Sequence, residues 1–309
     1  MPLVIEKKEI KNWLKELKKG FAVFDVRKSV LPPKQYFFPP KEETFNFDLK
    51  SQKLSVPDYE GRVLLFGLNM AHLEAMTQLD EIMEKPRKDF YYWRRREKSV
   101  LVGLTDNTVI VPMGGDIILE KINSKQYQVL VLTEKGKKAI KSKLIKKIAK
   151  PVIKKYSTDS NPMKEMLLDS ELLAEAVAWS ANHKIWDELA KKCLGCGICT
   201  YVCPLCHCFS IEDRVNLDGE SCSRCRQWDA CTLPNFSKIA GGHKFHPTVK
   251  ERYYNWFYHK FVRAYKEYGK SQCVACGNCK NNCPAGIGIA GVLMEIVEDY
   301  EKYLRTRKS

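Results

Sequence analysis

Two stretches of this chain carry cysteine at the same four offsets. Cys193, Cys196, Cys199 and Cys203 form the first, with Pro204 behind them. Cys273, Cys276, Cys279 and Cys283 form the second, with Pro284 behind them. Both read C-x2-C-x2-C-x3-C-P. No other feature restricts the fold as strongly, because the backbone must gather eight thiols into compact sets. The spacing is that of 4Fe-4S ligation. In that pattern three thiolates two residues apart wrap one cluster, while the fourth turns away and ligates the other. The expected sets are therefore Cys193, Cys196, Cys199 and Cys283 for one cluster, and Cys203, Cys273, Cys276 and Cys279 for the second. Gly195, Gly197 and Gly277 let the backbone approach the sulfurs and aim N–H groups at them. The trailing prolines end each loop without offering a competing donor.

Two other uses of these cysteines fit less well. Zinc sites draw on pairs of C-x2-C, not on four-cysteine runs with a trailing proline. Disulfides need an oxidising compartment, and the opening Met1-Pro2-Leu3-Val4-Ile5-Glu6 does not read as a secretory signal. The expectation is two 4Fe-4S clusters in a cytoplasmic electron-transfer protein. No run approaches the ~20 apolar residues of a membrane helix.

All 13 cysteines of the 309-residue chain lie between Cys193 and Cys283. That asymmetry divides the chain, and the expected class is α+β. An N-terminal α/β domain covers 1–155 and a linker 156–168. A mainly helical, ferredoxin-like dicluster domain covers 169–309, with a long insertion, 205–270, between the runs. In the first domain the periodicity predicts a helix over 6–19, strands at 21–26, 63–66, 100–104, 108–111 and 126–132, and a helix over 70–83. Further helices are expected over 135–150, 169–192 and 289–304, the last amphipathic.

The insertion holds five further cysteines: Cys206, Cys208, Cys222, Cys225 and Cys231. Cys222 and Cys225 have C-x2-C spacing. A third cluster would use Cys208, Cys222, Cys225 and Cys231, with Cys206 as the alternative ligand; zinc, or thiols with no ligand role, are the other readings. His207 could ligate in place of a cysteine, but a surface or hydrogen-bonding role is the preferred reading; His243, His246 and His259 read as packing and capping residues around the clusters. The aromatic run from Arg252 to His259 resembles a nucleic-acid patch, but core packing that keeps water from the clusters explains it better.

The formal net charge is +15. Each oxidised cluster with four thiolates carries about −2, so two clusters lower the total to about +11 and three to about +9. The excess is concentrated between Lys135 and Lys155, where ten lysines and no acid occur. Such a block suits a solvated face or a docking surface for an acidic partner better than nucleic acid.

The insertion also carries Arg226-Gln-Trp-Asp-Ala-Cys231-Thr-Leu-Pro-Asn-Phe236, Ala240-Gly-Gly-His243 and His259-Lys-Phe261. The N-terminal half adds Leu31-Pro-Pro-Lys-Gln-Tyr-Phe-Phe-Pro39, Phe66-Gly67, and Tyr91-Tyr92 with Arg94-Arg-Arg-Glu97. On these residues the chain resembles the iron–sulfur beta subunit of soluble archaeal nickel–iron hydrogenases (sulfhydrogenases). It is also similar to the electron-transfer subunit of anaerobic sulfite reductases. The resemblance implies a relay within a hetero-oligomeric oxidoreductase, between a flavin subunit handling NAD(P)H and a separate catalytic subunit, a hydrogenase in the first case. It carries over the eight cysteines of the two runs position by position. The chain departs from the family where members carry N-terminal cysteines: Gly67-Leu-Asn-Met-Ala-His72 and Thr105-Asp-Asn-Thr108 have none. The alternatives are the same relay serving an anaerobic sulfite or sulfur reductase and, from a different class, an iron–sulfur nucleic-acid-binding protein. A stand-alone enzyme is not expected, since no flavin motif, nicotinamide motif or nucleophile–base pair stands out.

Overall fold

The computed structural model describes residues 2–106, 114–152, 161–217 and 219–308. They form two compact units. The first comprises Met1–Pro39 and Val56–Asp159, the second Pro40–Ser55 and Ser160–Ser309.

The first unit is built on a seven-stranded sheet. Its spatial order is Ala22–Asp25, Val63–Leu68, Val100–Thr105, Ile117–Lys121, Gln126–Val131, Leu3–Glu6 and Ile145–Lys147. The first four strands run parallel and the rest pair antiparallel. Val63–Leu68 is buried at every position, which is the signature of a central parallel strand covered on both faces. Asn69 caps the following helix, Met70–Glu84, by accepting from the His72 amide at 2.8 Å. The expected helix at 6–19 is the shorter Ile10–Leu17, which buries Ile10 and Trp13. The strand expected at 108–111 lies outside the described residues.

The basic helix expected over 135–150 does not form. Thr133 caps only Glu134–Ala139, and the chain then turns at Ser142. Ile145–Lys147 instead joins the sheet edge, with Ile145 opposite Ile5 and Lys147 opposite Leu3. Pairing with a remote strand overrides the local helical pattern here, and lysines on an outer strand discourage further strands from adding.

The second unit combines a helical core with a four-stranded antiparallel sheet, ordered Phe209–Val215, Ser221–Trp228, Lys41–Asp48 and Lys53–Ser55. Residues 40–55 thus pack with the C-terminal part of the chain, not with the N-terminal domain to which sequence position assigns them. Lys41–Asp48 pairs along Ser221–Gln227, and on that seam Arg226 Nε donates to Glu42 Oε1 at 2.8 Å, both residues being buried. The continuous helix expected over 169–192 is broken into Ser170–Trp179 and Ile185–Lys192. Between them Ser180–Asn182 tightens to a 3-10 turn, and Trp186 Nε1 donates to the Ser180 carbonyl at 2.6 Å. Burying the Trp186 indole satisfies its N–H only if the chain turns at this point. Pro162–Leu168, expected as linker, is helical and capped by Asn161. The terminal helix runs Ile289–Lys308. Its inner face joins Leu173, Trp186, Tyr253, Trp256, Phe257 and Phe261 in one apolar core.

Candidate iron–sulfur site

The two cysteine runs adopt one backbone conformation twice. In the first, Gly195 (φ 62°) and Gly197 (φ 78°) are left-handed; in the second, Ala275 (φ 53°) and Gly277 (φ 76°) take their places. Each second left-handed residue starts a four-residue helix, Ile198–Tyr201 in one run and Asn278–Asn281 in the other. Left-handed turns curl the chain so that three successive cysteine side chains face one point, and they aim amides inward. The Gly195 amide donates to Cys193 Sγ at 3.4 Å. Backbone N–H groups of Ala275 and Asn278 reach Cys273 and Cys276 in the same way.

The runs close around two cavities. One, of about 430 Å³, is lined by Cys203, Cys273, Cys276 and Cys279. The other, of about 30 Å³, is lined by Cys193, Cys196, Cys199 and Cys283, with Cys279 also on its wall. The last cysteine of each run therefore faces the first three of the other.

Several observations test the fit to a cluster. Burial pushes the Cys199 thiol up to about 12, with the neighbouring Cys193 and Cys279 adding to the effect. Burial likewise pushes Cys273 up to about 12 and Cys276 to about 11. Thiols placed this way gather as thiolates only around compensating positive charge such as iron supplies. Two buried donors also lack a partner among the described residues, Trp256 Nε1 and Thr232 Oγ1. The first lines both cavities and the second the smaller one. A buried donor left alone is costly, and the sulfur atoms of a cluster are the acceptors such donors serve. The residues fit the group.

The insertion cysteines separate into two places. Cys206, Cys208 and Cys231 line a third cavity of about 230 Å³ together with His207 and His259. There Cys208 is held well below the usual thiol range, first by a hydrogen bond from Cys231 and, after the opposing cost of burial, by one from His259. Cys222 and Cys225 instead lie on the strand Ser221–Trp228, opposite Val215 and Glu212. Residues three apart on a strand face opposite sides, so these two do not converge. Cys222 is six residues up the strand from Trp228, roughly 20 Å at strand rise, while Cys208 precedes Phe209, the partner of Trp228. The structure thus gathers Cys206, Cys208 and Cys231 but not the foursome of Cys208, Cys222, Cys225 and Cys231.

The aromatic run packs as core. Thr248 and Glu251 form a reciprocal capping box for the helix Val249–Phe257, whose Arg252, Tyr253, Trp256 and Phe257 are buried. One residue of the motif His259-Lys-Phe261 has a placement that the sequence did not suggest. Lys260 is 4% exposed and places Nζ 3.2 Å from Cys203 Sγ. The available signal was a lone lysine inside Trp256-Phe-Tyr-His-Lys-Phe-Val262, a stretch otherwise built for burial.

Residues 192–287 match the family described as a 4Fe-4S dicluster domain. Over 290 residues the chain is 28% identical to sulfhydrogenase 2 subunit beta of Pyrococcus furiosus, covering 89% of this chain and 85% of that protein. No solved structure matches significantly. Among the described residues no helix is long and apolar enough to cross a membrane. The cysteine geometry and both comparisons support an iron–sulfur protein of the electron-transfer kind, similar to a sulfhydrogenase beta subunit.

Proposed function

We propose that this chain is the electron relay of a cytoplasmic, multi-subunit oxidoreductase. It connects a flavin subunit that handles NAD(P)H to a separate catalytic subunit, a nickel–iron hydrogenase. Cys193, Cys196, Cys199 and Cys283 hold one 4Fe-4S cluster, and Cys203, Cys273, Cys276 and Cys279 the other. When bound, each supplies one-electron storage at a potential set by its surroundings. The chain's own residues do the rest. The paired left-handed turns orient the thiolates, backbone amides donate to sulfur, and Tyr253, Trp256 and Ile289 exclude water from the cavities.

The observation that carries this reading is the pair of adjoining cavities with crossed cysteine sets, built from two runs 80 residues apart. Two electron sites side by side serve transfer. The third cavity, with Cys206, Cys208 and Cys231, is our candidate for a further centre, its ligand set revised from the C-x2-C pair.

The test is anaerobic co-purification of the chain with its partners. About eight iron and eight sulfide per chain are expected from two clusters, rising to about twelve with a third. A nickel-containing partner and a flavin partner are expected alongside. Addition of NAD(P)H to the complex should bleach the visible absorption of the clusters. Iron-free folded protein would sink the reading. A sulfite- or sulfur-reducing partner in place of the nickel subunit would transfer it to the alternative family. Affinity for nucleic acid falling steeply with salt would favour the third class.

A further inference from the structure

Lys260 sits on the π-helical turn Tyr258–Arg263, wedged between the α-helices Val249–Phe257 and Ala264–Tyr268. A π turn inserts one residue into the helical ladder and swings the side chains around it, and such turns cluster at functional sites. Here the displaced side chain points inward. Its Nζ lies 3.2 Å from Cys203 Sγ, 3.1 Å from the Gln272 carbonyl oxygen and 5.6 Å from the centre of the Trp256 ring. An ammonium has three N–H donors and no acceptor. Two acceptors and one aromatic face occupy all three. The pocket is therefore shaped for the charged form of the side chain.

The other cavity has no counterpart. Among the described residues lining it there is no lysine or arginine. The nearby buried Arg252 spends its guanidinium on the carbonyls of Thr232, His246 and Pro247. Arg252 keeps its charge and acts on Cys193 through space, so the duplicated loops differ in direct contact: among the described residues lining the two cavities, only on the Cys203 side does a buried cation bond a cysteine sulfur.

We infer that Lys260 sets the two electron sites apart, making the one held by Cys203, Cys273, Cys276 and Cys279 the easier to reduce. The inference rests on the two-cluster reading above. Reduction adds one electron, and hence one negative charge, with no proton required. A positive charge one contact away in a buried setting stabilises that added charge, and so does a hydrogen bond to a ligating sulfur. An electron from a low-potential donor then comes to rest on the Cys203 side.

The test is a redox titration of the anaerobic full-length chain, followed by electron paramagnetic resonance, for the natural protein, Lys260→Arg and Lys260→Gln. Iron and sulfide are counted in each. Two one-electron waves are expected from these two sites. Lys260→Gln should weaken reduction of the upper wave at least tenfold, a shift of about 59 mV to more negative potential, and move the lower wave by clearly less, since Lys260 reaches Cys199 only through space. Lys260→Arg, which keeps the charge, should hold most of the natural value. Both waves unmoved in Lys260→Gln at full iron content, or both moved equally, would overturn the inference. If Lys260→Gln loses iron, Cys276→Ser decides, because replacing one thiolate marks the wave of its own cluster. A marked wave that is the lower of the two overturns the inference, and the upper one supports it. A natural chain without iron sinks the relay reading itself and the inference with it, so the two failures are distinguishable.

Discussion

The two cysteine runs are near copies in backbone and differ in almost everything around them. Both use two left-handed residues and a four-residue helix. The first run encloses a small cavity, and its second turn is crowded: a side chain at Gly197 would meet Ala230 Cβ at 3.0 Å and the Tyr201 ring at 3.2 Å. The second run surrounds a larger cavity, and a side chain at Gly277 would meet nothing nearer than Asn281 at 3.7 Å. Among the described residues lining the two cavities, only there does a buried lysine meet a cysteine sulfur. Local conformation is therefore dictated by what the thiols must do, whereas packing and charge are free to diverge between copies.

That comparison can be broken in four ways. The largest effect should come from removing iron altogether. Cluster binding couples to folding of the unit that supplies the thiolates, so chelation under reducing conditions should lower the thermal midpoint of the second unit by on the order of 10 °C. The first unit, which has no cysteine, should unfold as before; calorimetry of the intact chain resolves the two transitions. Equal loss in both would show that the cysteine sets do not act within one unit.

Next comes the crossing of the ligands. Cys203→Ala belongs by sequence to the first run, yet it should impair the same cluster as Cys273→Ala. Cys283→Ala should pair with Cys193→Ala. Each is expected to lose about half the iron, and the resonance signals that survive identify the cluster left behind. If Cys203→Ala and Cys193→Ala left the same signal, the runs would be self-contained.

The turns should then separate the copies by packing. Gly197→Ala combines left-handed strain with overpacking, for a loss of about 3 kcal/mol. Gly277→Ala carries the strain alone, about 1 kcal/mol. Denaturant titration of the iron-loaded chain measures the difference; equal losses would mean that the crowding at Gly197 relaxes without cost.

The smallest effect is a pair of reciprocal exchanges. Gly195 and Ala275 occupy equivalent left-handed positions. Gly195→Ala, with only the Thr232 carbonyl at 3.6 Å, should cost about 1 kcal/mol, and Ala275→Gly should gain up to about 1 kcal/mol. Changes of the same sign would show that the two positions are not alike.

The elements readable in advance were those whose cause is local. Val63–Leu68, the helix after Asn69 and the amphipathic terminal helix follow from short-range periodicity and capping. The cysteine spacing and the close backbone approach at its glycines were legible too, whereas the left-handed residue at Ala275 carries no glycine signal. Features that depend on remote partners were less legible. Ile145–Lys147 looked helical because its pairing with Leu3–Ile5 lies about 140 residues away. Cys222 and Cys225 looked like a ligand pair because C-x2-C converges on a turn but diverges on a strand, and nothing nearby announced the strand that pairs with Lys41–Asp48.

What the amino-acid order by itself determined is the repeated thiol-bearing loop, since thiolate ligation and left-handed backbone act over a dozen residues. What only the tertiary structure decided is which groups surround each loop. Glu42 meets Arg226 across 184 positions and Lys260 meets Cys203 across 57. Such encounters arise from the joint packing of sheet, π turn and terminal helix, because burial and electrostatics act through space and carry no mark in the local run of residues.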